Sequence, residues 1–114
     1  MRQRAQKVAQ VFKKEVSKII YEELHDPRIG FITITHVEIT DDLRFVKIYY
    51  SILGTEKEKE ETTKALKSSE GFIRGLIGQR IRLRFVPEIK FLFDSSAEYS
   101  MHIQDILDKI KEER

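Results

Sequence analysis

Two neighbouring segments with alternating apolar and polar residues constrain the fold of this chain more than any other feature. Phe31–Thr40, FITITHVEIT, and Phe45–Ile52 are rich in β-branched and aromatic residues and alternate as strands do. The turn Thr40-Asp41-Asp42 leaves a link too short for a crossover, so we expect an antiparallel hairpin. Apolar parity changes within the first segment, which predicts a β-bulge near Thr35 or His36.

The remaining segments predict helices and one further strand, and these must cover one face of the hairpin. We predict a long amphipathic helix over residues 5–24, a charged helix from Glu56, a helix after a break at Gly71, a strand over residues 89–93 and a last helix opened by Ser95 and Glu98. This order predicts an α+β fold with helices on one face of a small three-stranded sheet. The 114 residues are expected to form a single domain.

The run from Ser69 to Asp94 combines glycines, arginines and an apolar strand. Its first part has apolar residues at helical spacing, and on another side Arg74, Gly78 and Arg82 fall in an i, i+4, i+8 row. Two guanidiniums would then stand about 12 Å apart along the helix, with a side-chain-free patch between them. The backbone of a polyanion could approach closely at such a patch.

Two other interpretations of these glycines remain open. Gly75-Leu76-Ile77-Gly78 matches the GxxG pattern of KH domains, whose loop clamps a nucleic-acid backbone, but so short a pattern is common by chance. In the simplest interpretation, Gly71 only separates two helices, the later glycines permit close packing, and the arginines are a solvated face.

Charge is unevenly distributed along the chain. Charged residues make up 35% of the sequence with a net charge of only +2. Residues 1–25 carry six lysines and arginines against three glutamates, and residues 71–93 carry five against one. If these two segments share one face, that face would be basic enough to bind nucleic acid; solvated charge on all sides is the alternative.

No catalytic or metal-binding pattern is visible. Cysteine is absent, the three histidines have no ligand spacing, and neither a P-loop nor a GxGxxG motif occurs. We therefore expect no enzyme activity, no cofactor, no metal and no small-molecule substrate. The absence of cysteine suits a reducing cytoplasm, and we find no signal peptide and no apolar run long enough to span a membrane.

Several short motifs along nearly the whole chain resemble those of the bacterial ribosome-binding factor A family. They are Arg4, Asp26-Pro27-Arg28, Val37-Glu38, Asp42-Leu43, Val46-Lys47-Ile48-Tyr49, Gly71-Phe72-Ile73-Arg74, and Leu83-Arg84-Phe85-Val86-Pro87-Glu88-Ile89 with Phe91 and Asp94. The resemblance implies a KH domain of type II topology, α-β-β-α-kink-α-β, here followed by a C-terminal helix. In this family an Ala-x-Gly kink replaces the GxxG loop. The kink corresponds to Ser69-Glu70-Gly71, with serine in place of alanine, so Gly75 to Gly78 would be ordinary helix.

The same resemblance implies a function in assembly of the small ribosomal subunit. Such a protein binds the free 30S subunit and its 16S rRNA during late maturation, supports processing at the 5′ end of that RNA and aids growth in the cold. We expect a cytoplasmic monomer, with Ser69 and Gly71 setting the angle between two helices. The expected RNA contacts are Arg4, Lys7, Lys14, Lys18, Arg28, Arg74, Arg80, Arg82 and Arg84. Phe45 and Tyr49 could stack on bases, although packing in the core is the simpler expectation.

Two other functions fit the sequence. The chain could be a general KH-type protein that binds single-stranded RNA, or a protein-interaction module whose arginines meet an acidic partner. RNase sensitivity of the complex separates the second from any RNA-mediated function.

Overall fold

The computed structural model describes residues 3–95, which form three helices and one three-stranded sheet. The elements are α1 (Gln3–Glu23), β1 (Phe31–Ile39), β2 (Phe45–Leu53), α2 (Glu56–Ser68), α3 (Glu70–Arg80) and β3 (Glu88–Phe93). This arrangement confirms the predicted α+β class, and its order is the one that the resemblance implies. The last predicted helix lies outside the described residues.

The sheet has the order β1-β2-β3, with the hairpin at one side. β1 and β2 are antiparallel, and their register shifts between Ile34 and His36, which confirms the predicted bulge. β3 lies parallel to β2, from Phe45 opposite Glu88 to Tyr50 opposite Phe93. A parallel neighbour requires a long crossover, and α2 and α3 provide it.

The core lies between the helices and one face of the sheet. Alternate strand residues point toward the helices, because successive side chains of a strand face opposite sides. The buried apolar residues of the helices and strands are Ala5, Ala9, Phe12, Val16, Ile19, Ile20, Ala65, Leu66, Ile73, Ile77, Ile34, Val37, Ile39, Val46, Ile48, Tyr50, Ile52 and Ile89. The opposite face of the sheet carries exposed or half-buried residues in the described part of the chain.

A single residue separates α2 from α3. Ser69 has φ −94° and ψ −2°, ends α2 and also precedes α3. Its N–H donates to the carbonyls of Ala65 and Leu66 at 3.1 Å each, while its own carbonyl accepts from Ile73 N–H at 2.9 Å. The break therefore falls at Ser69, and Gly71 lies in the first turn of α3.

The predicted row Arg74, Gly78, Arg82 is wrong in its last member. α3 ends at Arg80, and Ile81 is extended, with φ −114° and ψ 110°. Arg82 consequently lies in the loop that leads to β3. A Cβ placed on Gly78 would lie 3.7 Å from a methyl carbon of Val86, so this exposed glycine lies beside a residue of the loop.

Candidate nucleic-acid interface

The tip of the β1–β2 hairpin is held by a hydrogen-bonded turn. The Asp42 carboxylate accepts from the Thr40 hydroxyl at 2.6 Å and from Arg44 N–H at 3.1 Å. The Thr40 hydroxyl in turn accepts from Phe45 N–H at 3.2 Å, and Leu43 takes the left-handed conformation, φ 61°. The hydrogen bond from Thr40, followed by that from Arg44 N–H, lowers the pKa of Asp42. These hydrogen bonds fix the shape of the turn, and with it the position of Arg44 just before β2.

The loop between α3 and β3 is anchored by its apolar residues. Leu83 is half-buried against the core and Pro87 is buried, whereas Arg82, Arg84 and Phe85 are exposed. The loop also meets the hairpin, because Glu88 N–H donates to the carbonyl of Arg44 at 2.8 Å. Two segments that are distant in sequence are therefore held side by side.

The hairpin tip, the loop and the start of α1 enclose a cleft of about 350 Å³. We call it the arginine cleft. It is lined by Arg4, Asp41, Asp42, Leu43, Arg44, Arg82, Leu83, Arg84 and Phe85. Of the expected RNA contacts, Arg4, Arg82 and Arg84 are brought together here. Four arginine residues therefore line one concave surface, and guanidinium groups are well suited to bind phosphate oxygens.

Phe85 is an exposed aromatic residue within this cationic surface. Its exposed fraction is 57%. The guanidinium carbons of Arg44 and Arg84 lie 5.4 Å and 5.5 Å from the centre of its ring, within cation–π range. The ring therefore orients both guanidiniums. Unlike a carboxylate, it does not neutralise their charge.

Arg80 is placed differently from the arginines of the cleft. Its guanidinium lies 3.6 Å from a carboxylate oxygen of Glu15 and 3.1 Å from one of Glu23, and its side chain is only 26% exposed. Both glutamates are on α1. Arg80 consequently joins the end of α3 to α1, and its charge is already matched by two carboxylates.

Arg28 is also paired within the protein. It contacts Asp26 through two nitrogens, the shortest distance being 2.7 Å, and its guanidinium donates to the Ser68 hydroxyl at 3.3 Å. The Arg28 side chain, followed by its backbone N–H, lowers the pKa of Asp26. Close by, the buried Thr62 hydroxyl accepts from Gly30 N–H at 3.1 Å and donates to the Arg28 carbonyl at 3.0 Å. We call this group, which holds the loop after α1 against the end of α2, the Arg28 corner.

The remaining predicted contacts lie on helix surfaces. Lys7, Lys14 and Lys18 are exposed on α1, and Arg74 is exposed on α3. Lys7 borders a separate shallow groove between α1 and β1. These cations are exposed but do not line the arginine cleft.

Sequence reasoning missed Arg44 and did not single out Phe85. Arg44 is next to a turn in the sequence, and only the parallel pairing of β2 with β3 brings it to the 82–85 loop. The aromatic residues that were considered lie elsewhere: Phe45 is 53% exposed, contrary to core packing, and the half-buried Tyr49 packs beside His36, with ring centres 5.9 Å apart.

Residues 3–95 contain no group of three or more His, Asp or Glu side chains suited to a metal ion. None of the three described helices is both long and apolar enough to cross a bilayer.

Comparison with known proteins decides the family. A family model described as ribosome-binding factor A matches residues 4–107. The chain is 47% identical to ribosome-binding factor A of Halothermothrix orenii over 112 residues, which cover 98% of this chain and 92% of the relative. It is 54% identical to that of Clostridium tetani over 110 residues, covering 96% and 91%. The chain belongs to the ribosome-binding factor A family.

Solved structures agree with this family assignment. A Thermotoga maritima protein, a candidate ribosome binding factor A, superposes with a TM-score of 0.69 at 34% identity, covering 79% of this chain and 86% of that one. The crystal structure of ribosome-binding factor A from Thermus thermophilus gives 0.66 at 24% identity, with coverages of 77% and 93%. A homology model of the T. thermophilus protein, fitted into a cryo-EM map of its complex with the 30S subunit, gives 0.63 at 24%, with coverages of 76% and 91%.

Proposed function

We propose that this protein is a ribosome assembly factor that binds the free 30S subunit through its 16S rRNA during late maturation. In this role it supports processing at the 5′ end of the rRNA and growth in the cold, and it acts as a cytoplasmic monomer without a catalytic step. Family membership supports the choice of the 30S subunit, because the Thermus thermophilus ribosome binding factor A was fitted into a cryo-EM map of its complex with that subunit.

The observation that carries the proposal is the arginine cleft. Binding to rRNA is driven by cations that replace counterions along the phosphate backbone. Arg4, Arg44, Arg82 and Arg84 converge on one concave surface, although they come from three separate segments. Lys7, Lys14, Lys18 and Arg74 would add weaker, longer-range attraction from the adjoining helices.

Arg28 and Arg80 take a smaller part in the proposed contact. Each already has carboxylate partners within the protein, and an RNA phosphate would have to compete with them. We propose that these two residues support the shape of the interface. Ser69 and Gly71 are proposed to contribute in the same indirect way, Ser69 as the break between α2 and α3 and Gly71 in the helical turn that follows it.

Co-sedimentation with purified 30S subunits, and with intact ribosomes, tests this proposal at low and at moderate salt. We expect the wild-type protein to sediment with free 30S subunits and to be released by added salt. The double variant Arg82→Glu/Arg84→Glu should bind at least about tenfold more weakly. A matched control, Lys57→Glu/Lys67→Glu, changes the same amount of charge at exposed positions of α2 and should bind as the wild type does.

The outcomes separate the rival functions. Absence of wild-type binding to 30S subunits at both salts would overturn the proposal. Binding that survives RNase digestion of the complex would favour an acidic protein partner. Equal loss of binding in the control variant would mean that net charge, not the cleft, governs association.

A further inference from the structure

We propose that the arginine cleft stacks an unpaired base on the Phe85 ring, so that this protein recognises a single-stranded segment of RNA and not a duplex. This inference rests on the proposed function, and it assigns one site of that interface to a chemical group of the RNA.

The first support is the accessibility of the ring. Planes in van der Waals contact are about 3.5–4 Å apart. The guanidinium carbons of Arg44 and Arg84 lie over the ring at 5.4 Å and 5.5 Å from its centre, farther away than that contact distance. More than half of Phe85 remains exposed, at 57%. A base can stack on an accessible aromatic face, and adjacent guanidiniums can contact its phosphate.

The second support is that the ring stands on a held segment. Leu83 packs toward the core and Pro87 is buried, and the next residue, Glu88, is hydrogen-bonded to the hairpin. Phe85 also borders a small space lined by Phe12 and Ile77 of the core. The ring is therefore exposed although the backbone that carries it is fixed, and a pre-positioned aromatic group loses little freedom on binding.

The third support is the charge pattern of the cleft. Asp41 and Asp42 also line the cleft. Their negative charge would weaken a site that bound only phosphate. Asp42 is ionised in the turn, where it accepts two hydrogen bonds. A duplex laid across the cleft would bring phosphates toward these carboxylates. An unpaired base carries no charge, so the carboxylates of the wall do not repel it.

The test uses the full chain and a short single-stranded RNA that contains one 2-aminopurine, whose fluorescence falls when the base stacks. The same RNA annealed to its complement serves as the duplex probe. We expect the wild-type protein to quench the single strand and to bind the duplex more weakly. Phe85→Leu keeps an apolar side chain but removes the ring, and should weaken single-strand binding about 5- to 100-fold and abolish quenching.

Two further variants keep the result interpretable. Phe85→Trp retains a stacking surface and should restore both affinity and quenching. Phe72→Leu changes a ring of similar exposure, 52%, on α3 outside the cleft and should behave as the wild type does. Thermal unfolding of each variant establishes that the fold is intact.

Unchanged affinity in Phe85→Leu, absence of quenching by the wild type, or equal binding of duplex and single strand would each overturn the stacking inference. Co-sedimentation with 30S subunits is measured in parallel. If the wild type sediments with 30S subunits but Phe85 has no effect on the oligonucleotide, the proposed function stands and stacking falls. If Phe85-dependent quenching occurs without 30S binding, stacking stands and the protein is a general single-strand binder.

Discussion

The arginine cleft and the Arg28 corner contain the same kind of side chain in opposite situations. In the corner, the guanidinium of Arg28 donates hydrogen bonds to a carboxylate two residues away and to a hydroxyl on α2. In the cleft, Arg44 and Arg84 lie beside an aromatic ring, and the carboxylate of Asp42 is directed to the turn. The comparison shows that the number of arginines in a segment does not give the charge available to a partner. The availability depends on which acceptors the backbone brings within reach.

Substitutions in the two regions should therefore be detected by different measurements. Substitutions in the Arg28 corner are expected to change the free energy of unfolding and to leave the salt dependence of RNA binding unaltered. Substitutions in the arginine cleft are expected to do the reverse, because exposed cations contribute little to stability and much to association with a polyanion.

The largest effect is expected at Thr62, in the corner. Thr62→Val keeps the shape of a buried side chain but leaves Gly30 N–H and the Arg28 carbonyl without their partner. Both bonds are part-buried, and each is worth about 0.5–1.5 kcal/mol, so the free energy of unfolding should fall by about 1–3 kcal/mol in urea titration. Thr63→Val is the matched control. The hydroxyl of Thr63 bonds only within its own helix, to the Lys59 carbonyl, so its loss should cost less than about 0.5 kcal/mol.

A pair of neutralising substitutions tests the contrast between paired and available arginines. Arg84→Gln should reduce the slope of log affinity against log salt by about one and leave the unfolding midpoint unchanged. Arg80→Gln should keep that slope but lower stability by about 0.5–1 kcal/mol, because Glu15 and Glu23 lose their partner. Binding at several salt concentrations and chemical unfolding of both variants provide the check. A reduced slope in Arg80→Gln would show that its glutamate partners release it to the RNA.

Sequence reasoning predicted the elements of the fold well, for reasons visible in particular residues. The alternation in β1 and β2 and the apolar period of α1 are local patterns, and even the bulge beside Thr35 follows from a local change of parity. The end of α3 at Arg80 was missed. Ile81 and Leu83 are apolar and continue the helical spacing of apolar residues, but in the structure they anchor a loop.

The site was less predictable, since it depends on contacts between distant segments. Arg82 and Arg84 were expected at an interface, but the row along one helix was wrong and Arg44 was absent from it. The two sides of the cleft are held together where Glu88 N–H donates a hydrogen bond to the Arg44 carbonyl. Likewise, the sequence shows Glu15, Glu23 and Arg80, but only the packing of α3 on α1 makes them partners.

A smaller effect is expected at the break between α2 and α3. A Cβ added to Gly71 meets nothing within 4 Å, and the break is at Ser69. Gly71→Ala should therefore raise stability by about 0.5–1 kcal/mol, through helix propensity and lower freedom of the unfolded chain. Gly54→Ala is the contrasting control, because Gly54 has φ 151° and an added Cβ would lie 3.0 Å from Glu58, so stability should fall. Loss of stability in Gly71→Ala would indicate that the break requires glycine itself.

The smallest effect concerns acid sensitivity, and it applies to both regions. The pKa of Asp26, lowered first by its hydrogen bond to the Arg28 side chain, lies below the ordinary 3.8. The pKa of Asp42 is lowered as well, first by Thr40. A carboxyl group whose pKa is lower in the folded than in the unfolded state stabilises the fold fully above its unfolded-state pKa. This stabilisation is lost as pH falls through its folded-state pKa.

The thermal midpoint of the wild type should thus decline below about pH 4, and both Asp26→Asn and Asp42→Asn should flatten that decline. At neutral pH only Asp26→Asn removes an ion pair, so its midpoint should then be the lower one relative to wild type. If Asp42→Asn alone changes the acid profile, the Arg28 corner is not held by its ion pair, and Thr62 alone must fix that loop.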